Sequence, residues 1–498
     1  MKMKIKIMNL DAGGKSIGII NQKDAMALGV HPLDRIVIQK GKRKATVTVD
    51  TAKSFVKQGT IVVYNEVKAL MNLKSGDTVD AEPRKTLLSK SYIRKKTDGQ
   101  ELNYKELREI VDDAIARNLN DLEMASFVTA LHIHGLTLNE SLNMSKAMIA
   151  TGKKVKFAGT VVDKHSIGGV PGDKTSILVV PIVAAAGLTI PKTSSRSITS
   201  PAGTADRMEV LAPVEFDTDE IKRIVKKTKG CLVWGGAVDL APADDLFIRI
   251  EHPLGLDPLL LPSVMSKKKS VGCRYLVIDI PTGSGAKMEK KEDAEKVAAS
   301  FKALGKKLGI KVECAVTRGD QPVGYAIGPA LEAREALEII MGLSKSDVLD
   351  KATSIAGLLL GMVNKGNKKT AENFIKNGKA EKKLREIIKA QGGDPDIKPE
   401  NIRVGPYKFA IKSNVSGVIA GINNVAIVDI CSSAGTPQDR GAGILLNKKI
   451  NDTVKKGETL FTIYSEKPQK LKSAAKTAKS YEIYNILSGK RKMLVEKL

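Results

Sequence analysis

Two loops rich in glycine, hydroxyl side chains and cations flank one apolar segment, VVPIVAAAGLTI, between residues 163 and 209. The first loop is DKHSIGGVPGDKTS and the second is KTSSRSITSPAGTADRME. Such loops offer backbone N–H groups, hydroxyls and positive charge together, the combination that binds a phosphate oxyanion. Either loop alone is a weak signal, because a Gly/Ser-rich turn is usually only a turn. Two of them around one strand–helix unit predict a cradle for an anion.

A third glycine-rich loop, GSGAK at residues 283–287, follows the apolar strand YLVIDIP. Ligands of open α/β sheets bind beyond the carboxyl ends of the strands, so Lys287 is a candidate phosphate contact. A tight turn with a solvated lysine explains this loop equally well. Asp257 precedes a proline, which is typical of a helix N-cap, and the rival role is an acid that protonates a leaving group. Ser263 and Lys267, at i and i+4 of a predicted helix, share a face.

The composition limits the classes of partner. The chain has 498 residues, with 81 Lys and Arg against 55 Asp and Glu, and a net charge of +26. That charge is compatible with phosphate compounds, nucleic acid or a membrane surface. The lysines are scattered through many elements, however, which favours a solvated surface. Aromatic residues make up 4% of the chain, too few to support stacking on nucleic acid bases.

The cysteines and the apolar runs indicate the compartment. Cys231, Cys273, Cys314 and Cys431 are far apart and form no CxxC, so neither a metal cluster nor a disulfide framework is expected. No apolar run approaches the roughly 20 residues of a membrane helix. The start, MKMKIKIMNL, alternates charged and apolar residues as an edge strand does and is unlike a signal peptide. We therefore expect a cytoplasmic protein with no membrane partner.

The predicted elements form a multidomain α/β protein. Short strands with turn residues between them, and a half-unit of helix, turn and strand that occurs twice, predict a small β-barrel-like domain. Three amphipathic helices follow, and a βα alternation then predicts a mostly parallel central sheet. A mixed α/β module ends the chain. The predicted domains are the N-terminal β-rich domain at 1–85, a discontinuous helical domain at 86–155 joined by 242–270, the phosphate-binding α/β domain with a helical extension at 156–405, and the C-terminal mixed α/β domain at 406–498.

The motifs KHSIGGVPGDKTS, SSRSITSPAGTADRME, SVMSKK, TGSGAK and GDQPVG together resemble the thymidine phosphorylase family of nucleoside phosphorylases, over about residues 90 to 490. Among them, SxRxxTSPAGTADxxE is highly specific. The additional N-terminal β-unit and the inserted Pro171 resemble the archaeal branch of that family. The resemblance implies a helical, an α/β and a C-terminal mixed domain, with the active site in the cleft between the first two.

The resemblance also implies roles for individual residues. The residues expected to bind phosphate are Lys164, Ser166, Gly169, Ser195 and Thr204. Those expected to bind the base are Arg249, Ser263 and Lys267. The rest of the second loop is expected to lie along the nucleotide and its 5′-phosphate: Arg196, Ser197, Ile198, Thr199 and Ser200. Asp257 is the expected proton donor to the base, and His165 is the alternative, because an unperturbed histidine titrates near neutrality.

One departure from the family concerns the substrate. Lys287 replaces the phenylalanine that follows Gly-Ser-Gly-Ala in thymidine phosphorylases, which suits a nucleoside 5′-monophosphate. The expected reaction converts AMP and phosphate to adenine and ribose 1,5-bisphosphate, with CMP and UMP as further substrates to test. No cofactor and no metal are expected, and family members imply a homodimer or larger homo-oligomer. The alternatives are a thymidine or uridine phosphorylase and, from another class, a basic nucleic-acid-binding or scaffold protein.

Overall fold

A computed structural model describes residues 1–84, 87–197 and 200–487. The chain divides into two compact units. The first unit combines Met1–Thr151 with Ala243–Pro258. The second combines Gly152–Pro242 with the chain from Leu259 onward.

The N-terminal part of the first unit is a closed β-barrel. Its strands are β1 (Lys2–Ile7), β2 (Ile17–Asn21), β3 (Arg35–Lys40), β4 (Arg43–Ala52), β5 (Thr60–Val63) and β6 (Thr78–Pro83), in the spatial order β1-β5-β2-β4-β3-β6. The helices α1 (Gln22–Leu28) and α2 (Asn65–Met71) each end at a left-handed residue and lead into β3 and β6, which pair antiparallel. In β1, Met3 and Ile5 point inward while the lysines face solvent. The predicted barrel and its repeated half-unit are therefore confirmed.

The rest of the first unit is helical. Its helices are α3 (Leu88–Thr97), α4 (Tyr104–Ile115), α5 (Asp121–His134), α6 (Leu138–Thr151) and, from later in the chain, α10 (Pro242–Leu254). The rings of Phe127 on α5 and Phe247 on α10 lie 6.0 Å apart, so the later helix packs with the earlier ones. This confirms a discontinuous helical domain. The division falls after Pro258, so the helix that follows belongs to the second unit, although the sequence predicted the whole of 242–270 to join the helices.

The second unit contains a parallel sheet. Its strands are β7 (Val162–Ser166), β8 (Ile190–Ser194), β9 (Gly230–Trp234), β10 (Tyr275–Thr282) and β11 (Lys311–Arg318). They pair in the orders β11-β10-β7 and β8-β9, and a parallel bridge between Val161 and Thr189 connects the two sets. Helices alternate with these strands: α7 (Thr175–Ala185), α8 (Thr204–Met208), α9 (Thr218–Thr228), α11 (Leu260–Ser270) and α12 (Lys291–Leu308). The predicted βα alternation and parallel sheet are confirmed.

The core of this unit is centred on α7, which is buried on every side from Thr175 to Ala184. The sequence of this helix, TSILVVPIVAA, is apolar all round, as a helix enclosed by other elements must be. It packs in one apolar cluster with helices from later in the chain. Those helices are α13 (Pro329–Ile340), α14 (Asp347–Met362), α15 (Lys368–Lys376) and α16 (Lys379–Ala390). The tight enclosure of α7 fixes the loop that precedes it.

The C-terminal part of the second unit is a mixed α/β module. Its strands are β12 (Ala326–Ile327), β13 (Tyr407–Lys412), β14 (Gly417–Ile422), β15 (Gly443–Leu446), β16 (Thr453–Val454), β17 (Thr459–Ser465) and β18 (Tyr484–Leu487), and its helices are α17 (Asn424–Ala434) and α18 (Pro468–Lys479). The strands form two antiparallel sheets, β12-β15-β17-β13 and β16-β14-β18. The predicted module is confirmed, and β12 joins it from far earlier in the chain. Within the described ranges, no helix is long and apolar enough to cross a bilayer.

Candidate anion-binding site

The three glycine-rich loops follow β7, β8 and β10, so they leave the carboxyl edge of the same parallel arrangement of strands. The first and third loops touch. Gly169 has a left-handed φ of 92°, and a Cβ placed there would lie 2.7 Å from the backbone nitrogen of Lys287. A glycine is therefore required for the two loops to meet. The structure thus brings Gly169 and Lys287 side by side, as expected of parts of one site.

Lys164 lies within β7 and is 2% exposed. Burial lowers the pKa of its ammonium, and the nearby Asp173 and Asp279 only partly oppose that effect. The ammonium forms no hydrogen bond or ion pair with any residue that the structure describes. A buried cation without a partner is costly, because it has lost its hydration shell. This arrangement is what an anion-binding lysine requires when its ligand is to supply the missing contacts.

Two hydroxyls near the first loop are also unsatisfied. The Oγ of Ser166, at the end of β7, and the Oγ1 of Thr175, in the first turn of α7, are buried and have no hydrogen-bond partner among the described residues. Buried hydroxyls are normally paired, so each is a candidate ligand contact. Sequence reasoning selected Ser166 and missed Thr175. The signal for Thr175 was present, because a hydroxyl that opens a helix after a glycine-rich loop lies where N–H groups face an anion.

A second group of buried charges lies beside Lys164. Asp163 accepts a hydrogen bond from the backbone N–H of Lys164 at 2.7 Å and pairs with the ammonium of Lys268 at 2.6 Å. The neighbouring Lys192 donates to the carbonyl of Thr193 at 3.0 Å. Burial and then the charge of Lys268 hold the pKa of Lys192 well below its usual range. This wall of the site therefore holds two lysines against one carboxylate, and sequence reasoning missed both Lys192 and Lys268.

His165 is affected by the same charges. Burial, followed by Lys268 and Lys192, places the pKa of its imidazole well below the usual value. The ring is therefore neutral near pH 7 and has no additional proton to deliver as an imidazolium. His165 was considered as a proton donor because an unperturbed histidine titrates near neutrality. The tertiary environment removes that argument.

The second loop is organised by ion pairs. The guanidinium of Arg196 contacts Glu209 at 2.8 and 3.0 Å and Glu215 at 2.9 Å, and it stacks on Trp234 at 5.1 Å from the ring centroid. Glu209 is the main cause of the raised pKa of Arg196. Several donors of Arg196 are thus engaged by carboxylates, so the side chain holds the loop in shape. Its selection as a substrate contact stays a prediction.

The backbone of the second loop folds onto Asp206. One Asp206 oxygen accepts the N–H groups of Ser197 at 2.7 Å and of Gly203 at 2.8 Å. A Cβ on Gly203 would lie 2.5 Å from the carbonyl carbon of Arg196. The hydroxyls of Ser197 and Ser200 donate to carbonyls within the loop. Ser195 is exposed, Thr204 begins α8, and Ile198 and Thr199 lie outside the described residues.

The remaining predicted site residues are divided between the units. Arg249, on α10, and Asp257 belong to the first unit. Ser263 and Lys267 lie one turn apart on α11, in the second unit with the three loops. The shared face predicted for Ser263 and Lys267 follows from this helix. The assignment of these four residues to the base stays a prediction.

Comparison with known proteins defines the class of this chain. Residues 158–381 match the α/β domain, and residues 90–152 the helical bundle domain, of a glycosyl transferase family. Residues 418–484 match the C-terminal domain of pyrimidine nucleoside phosphorylases. In fold, the chain is similar to the crystal structure of anthranilate phosphoribosyltransferase from Thermus thermophilus, with a TM-score of 0.52 and 17% identity over 60% of this chain and 99% of that chain. The fold and the matched domains are those of a pentosyltransferase.

Relatives of nearly the same length identify the family. The chain is 44% identical to the AMP phosphorylase of Thermofilum pendens, over 100% of this chain and 98% of the relative. It is 48% identical to the AMP phosphorylase of Thermococcus kodakarensis, over 97% of each chain. It is 46% identical to that of Pyrococcus furiosus, again over 97% of each. The chain therefore belongs to the AMP phosphorylase family.

Proposed function

We propose that this protein cleaves AMP with inorganic phosphate, releasing adenine and ribose 1,5-bisphosphate. The observation that carries the proposal is the ammonium of Lys164, buried and without a partner among the described residues. The unsatisfied hydroxyls of Ser166 and Thr175 add donors of the kind that phosphate oxygens accept. The full-length relatives named AMP phosphorylase support the choice of nucleotide.

In the proposed reaction an oxygen of inorganic phosphate attacks C1′ of the ribose while the bond from C1′ to the base breaks. The transition state resembles an oxocarbenium ion, so the phosphate must be held close and in line on one face of the sugar. Lys164, Ser166 and the backbone N–H groups of the first loop would hold it there. Because these groups are already desolvated and in position, they stabilise charge without reorganising during the reaction.

The departing adenine needs a proton, because its anion is a poor leaving group. We propose that the carboxyl of Asp257 protonates the base at N7, a step worth about 10²- to 10⁴-fold in rate. His165 is the weaker candidate, because its imidazole is held neutral. We assign base recognition to Arg249, Ser263 and Lys267. The second loop, from Ser195 to Thr204 and including Ile198 and Thr199, would lie along the nucleotide, with Arg196 maintaining its shape.

The 5′-phosphate is the feature that separates a nucleotide from a nucleoside. We propose that Lys287, whose backbone lies against Gly169, meets this second phosphate. The proposed chemistry requires inorganic phosphate as co-substrate and no cofactor. We also propose that the protein acts in the cytoplasm as a homodimer or a larger homo-oligomer, which native mass spectrometry of the purified chain would test.

The experiment compares phosphorolysis of AMP, CMP, UMP, adenosine and thymidine by the purified protein, with base release measured by chromatography. We expect AMP to be preferred over adenosine and thymidine. The Asp257→Asn variant should lose about 10²-fold or more in kcat with AMP. A preference for thymidine over AMP would overturn the assignment and favour a pyrimidine nucleoside phosphorylase.

The Lys287→Met variant tests the basis of that preference. It should lose about 10- to 100-fold in kcat/KM with AMP, because one charged hydrogen bond disappears, while its low activity with adenosine changes little. The Lys290→Met variant serves as a matched control, since Lys290 is an exposed lysine a few residues further along the same loop. Equal losses of kcat/KM with AMP and with adenosine would show that Lys287 does not contact the 5′-phosphate.

A further inference from the structure

Two carboxylates near Lys164 share one lysine from α14: Asp279 is fully buried, and the side chain of Asp173 is 12% exposed. The ammonium of Lys351 lies 2.8 Å from an oxygen of Asp279, on β10, and 3.3 Å from an oxygen of Asp173, in the first loop. The other oxygen of Asp279 accepts the hydroxyl of Thr317 at 2.5 Å, and the other oxygen of Asp173 accepts the N–H of Thr175 at 3.2 Å. Lys351 is therefore the cation that both carboxylates contact, and it is 8% exposed.

The same carboxylates act on Lys164 from a greater distance. Asp173 and Asp279 both favour the charged form of Lys164, yet neither forms an ion pair with it. A lysine side chain is long and flexible, so an unneutralised buried carboxylate nearby would draw the ammonium into contact. The position of Lys351 between the two carboxylates removes that attraction. Lys164 is thereby kept out of an internal ion pair.

We propose that Lys351 is a positioning residue for the phosphate co-substrate: it neutralises Asp173 and Asp279 and so leaves the Lys164 ammonium available to an incoming anion. This inference rests on the proposed function, in which Lys164 binds phosphate. The charges of the four side chains can be added. Lys164 and Lys351 carry two positive charges, and Asp173 and Asp279 carry two negative ones, so the group is balanced before phosphate arrives.

Replacing Lys351 by methionine keeps an unbranched side chain that is one atom shorter and removes its charge. The group would then carry a net charge of −1, and its remaining cation would be drawn to the carboxylates. Replacing Asp279 by asparagine in the same chain restores the balance, and the amide oxygen can still accept the hydroxyl of Thr317. A loss that comes from charge is therefore reversed by the second substitution, whereas a loss that comes from packing is not.

The experiment measures the Kd of inorganic phosphate by isothermal titration calorimetry on the full-length chain, together with KM for phosphate and kcat. Lys351→Met should weaken phosphate binding about 10- to 100-fold, as expected for loss of a charged contact, and raise KM more than it lowers kcat. The Lys351→Met/Asp279→Asn double variant and Lys351→Arg should each recover to within about threefold of the unmodified chain. Lys96→Met is the matched control, because it removes another buried lysine from its ion pair with Glu140 in the first unit.

The outcomes separate the two proposals. Suppose that the unmodified chain cleaves AMP. If Lys351→Met then binds phosphate normally, or if the double variant binds phosphate as weakly as Lys351→Met, the role of Lys351 is refuted and the proposed function stands. If the unmodified chain binds phosphate without cleaving AMP, the proposed function fails, and the Kd series still decides the role of Lys351. If Lys351→Met does not fold, the Asp279→Asn variant tests the role of Lys351 instead. This variant retains Lys351 and lacks one anion, so it should bind phosphate at least as tightly as the unmodified chain. A tenfold weakening would contradict the inference.

Discussion

Lys174 provides a stringent test of the buried charges that support the site. Its ammonium, with a fully buried side chain, contacts Glu335 at 2.5 Å and donates to the carbonyls of Val323 at 3.0 Å and Ala326 at 2.9 Å. It thereby ties the start of α7, which follows the first loop, to α13 and to the segment before it. We predict that Lys174→Met destabilises the second unit strongly.

The size of the destabilisation depends on the buried groups that lose their partner when the ammonium is removed. Breaking a buried ion pair on one side costs about 3–5 kcal/mol, because the other charge stays buried. Glu335 keeps the N–H groups of Tyr325 and Ala326, which reduces that cost. Two carbonyls lose their donor, which adds to it at about 1–3 kcal/mol per unsatisfied group. The two corrections oppose each other, so we expect a loss of about 4 kcal/mol in the free energy of unfolding.

Equilibrium denaturation in guanidinium chloride measures this loss, with the signal of Trp234 in the second unit as the reporter. Lys174→Met, Glu335→Gln and their double variant complete a double-mutant cycle. The double variant should be less destabilised than the sum of the single variants by at least about 1.5 kcal/mol. Lys222→Met, which removes an exposed pair with Asp219, should change stability by less than about 1 kcal/mol. A loss below about 1 kcal/mol for Lys174→Met, or strict additivity, would refute the reasoning.

His165 is neutral in the folded chain, whereas its unfolded-state pKa is near 6.5, so the unfolded state binds more protons below that pH and stability falls as the pH is lowered. The contribution of neutral His165 to the free energy of unfolding is fully present above about pH 6.5. Below that pH, His165→Asn should flatten the pH dependence of the unfolding free energy by up to about 1.4 kcal/mol per pH unit. An unchanged slope would contradict the assigned charge state. Gly203→Ala should lower kcat/KM for AMP by about 10-fold or more, because its Cβ would lie 2.5 Å from the backbone of Arg196 and distort the second loop. Gly361→Ala, on α14, is the control for that steric argument, because the nearest atom to its new Cβ is the carbonyl oxygen of Gly366 at 3.7 Å and its backbone is not left-handed. Equal activity of the two variants would refute the steric argument.

The predicted loops were accessible from sequence because each is a local feature. A glycine-rich run after an apolar strand has the same signature whatever surrounds it, so Gly169 and the loop ending in Lys287 could be selected without a structure. The barrel, the parallel sheet and the discontinuous helical domain also follow from periodicity and turn residues. The contact between Gly169 and Lys287 could be expected as well, because β7 and β10 were both predicted strands of one sheet.

The charge environment was not accessible in the same way. Lys351 lies within an amphipathic helix, where a lysine is typically solvated, yet it is buried between Asp173 and Asp279. Arg196 lies in a loop rich in hydroxyls, where an arginine suggests an anion, yet Glu209 and Glu215 engage it. Asp279 lies on β10 and Glu215 lies beyond α8, so the identity of these partners depends on how the chain packs.

The sequence by itself determined the class of fold and the loops able to present donors to an anion, since hydrophobic periodicity and glycine placement act over a few residues. Only the tertiary structure decided which buried charges are paired and which are left for a ligand. Lys164 and Lys174 are both lysines of the first loop region, and both are almost fully buried. Lys174 is neutralised by Glu335, whereas Lys164 meets no partner among the described residues. The difference arises because electrostatic pairing depends on distances between segments far apart in the chain, and folding alone sets those distances.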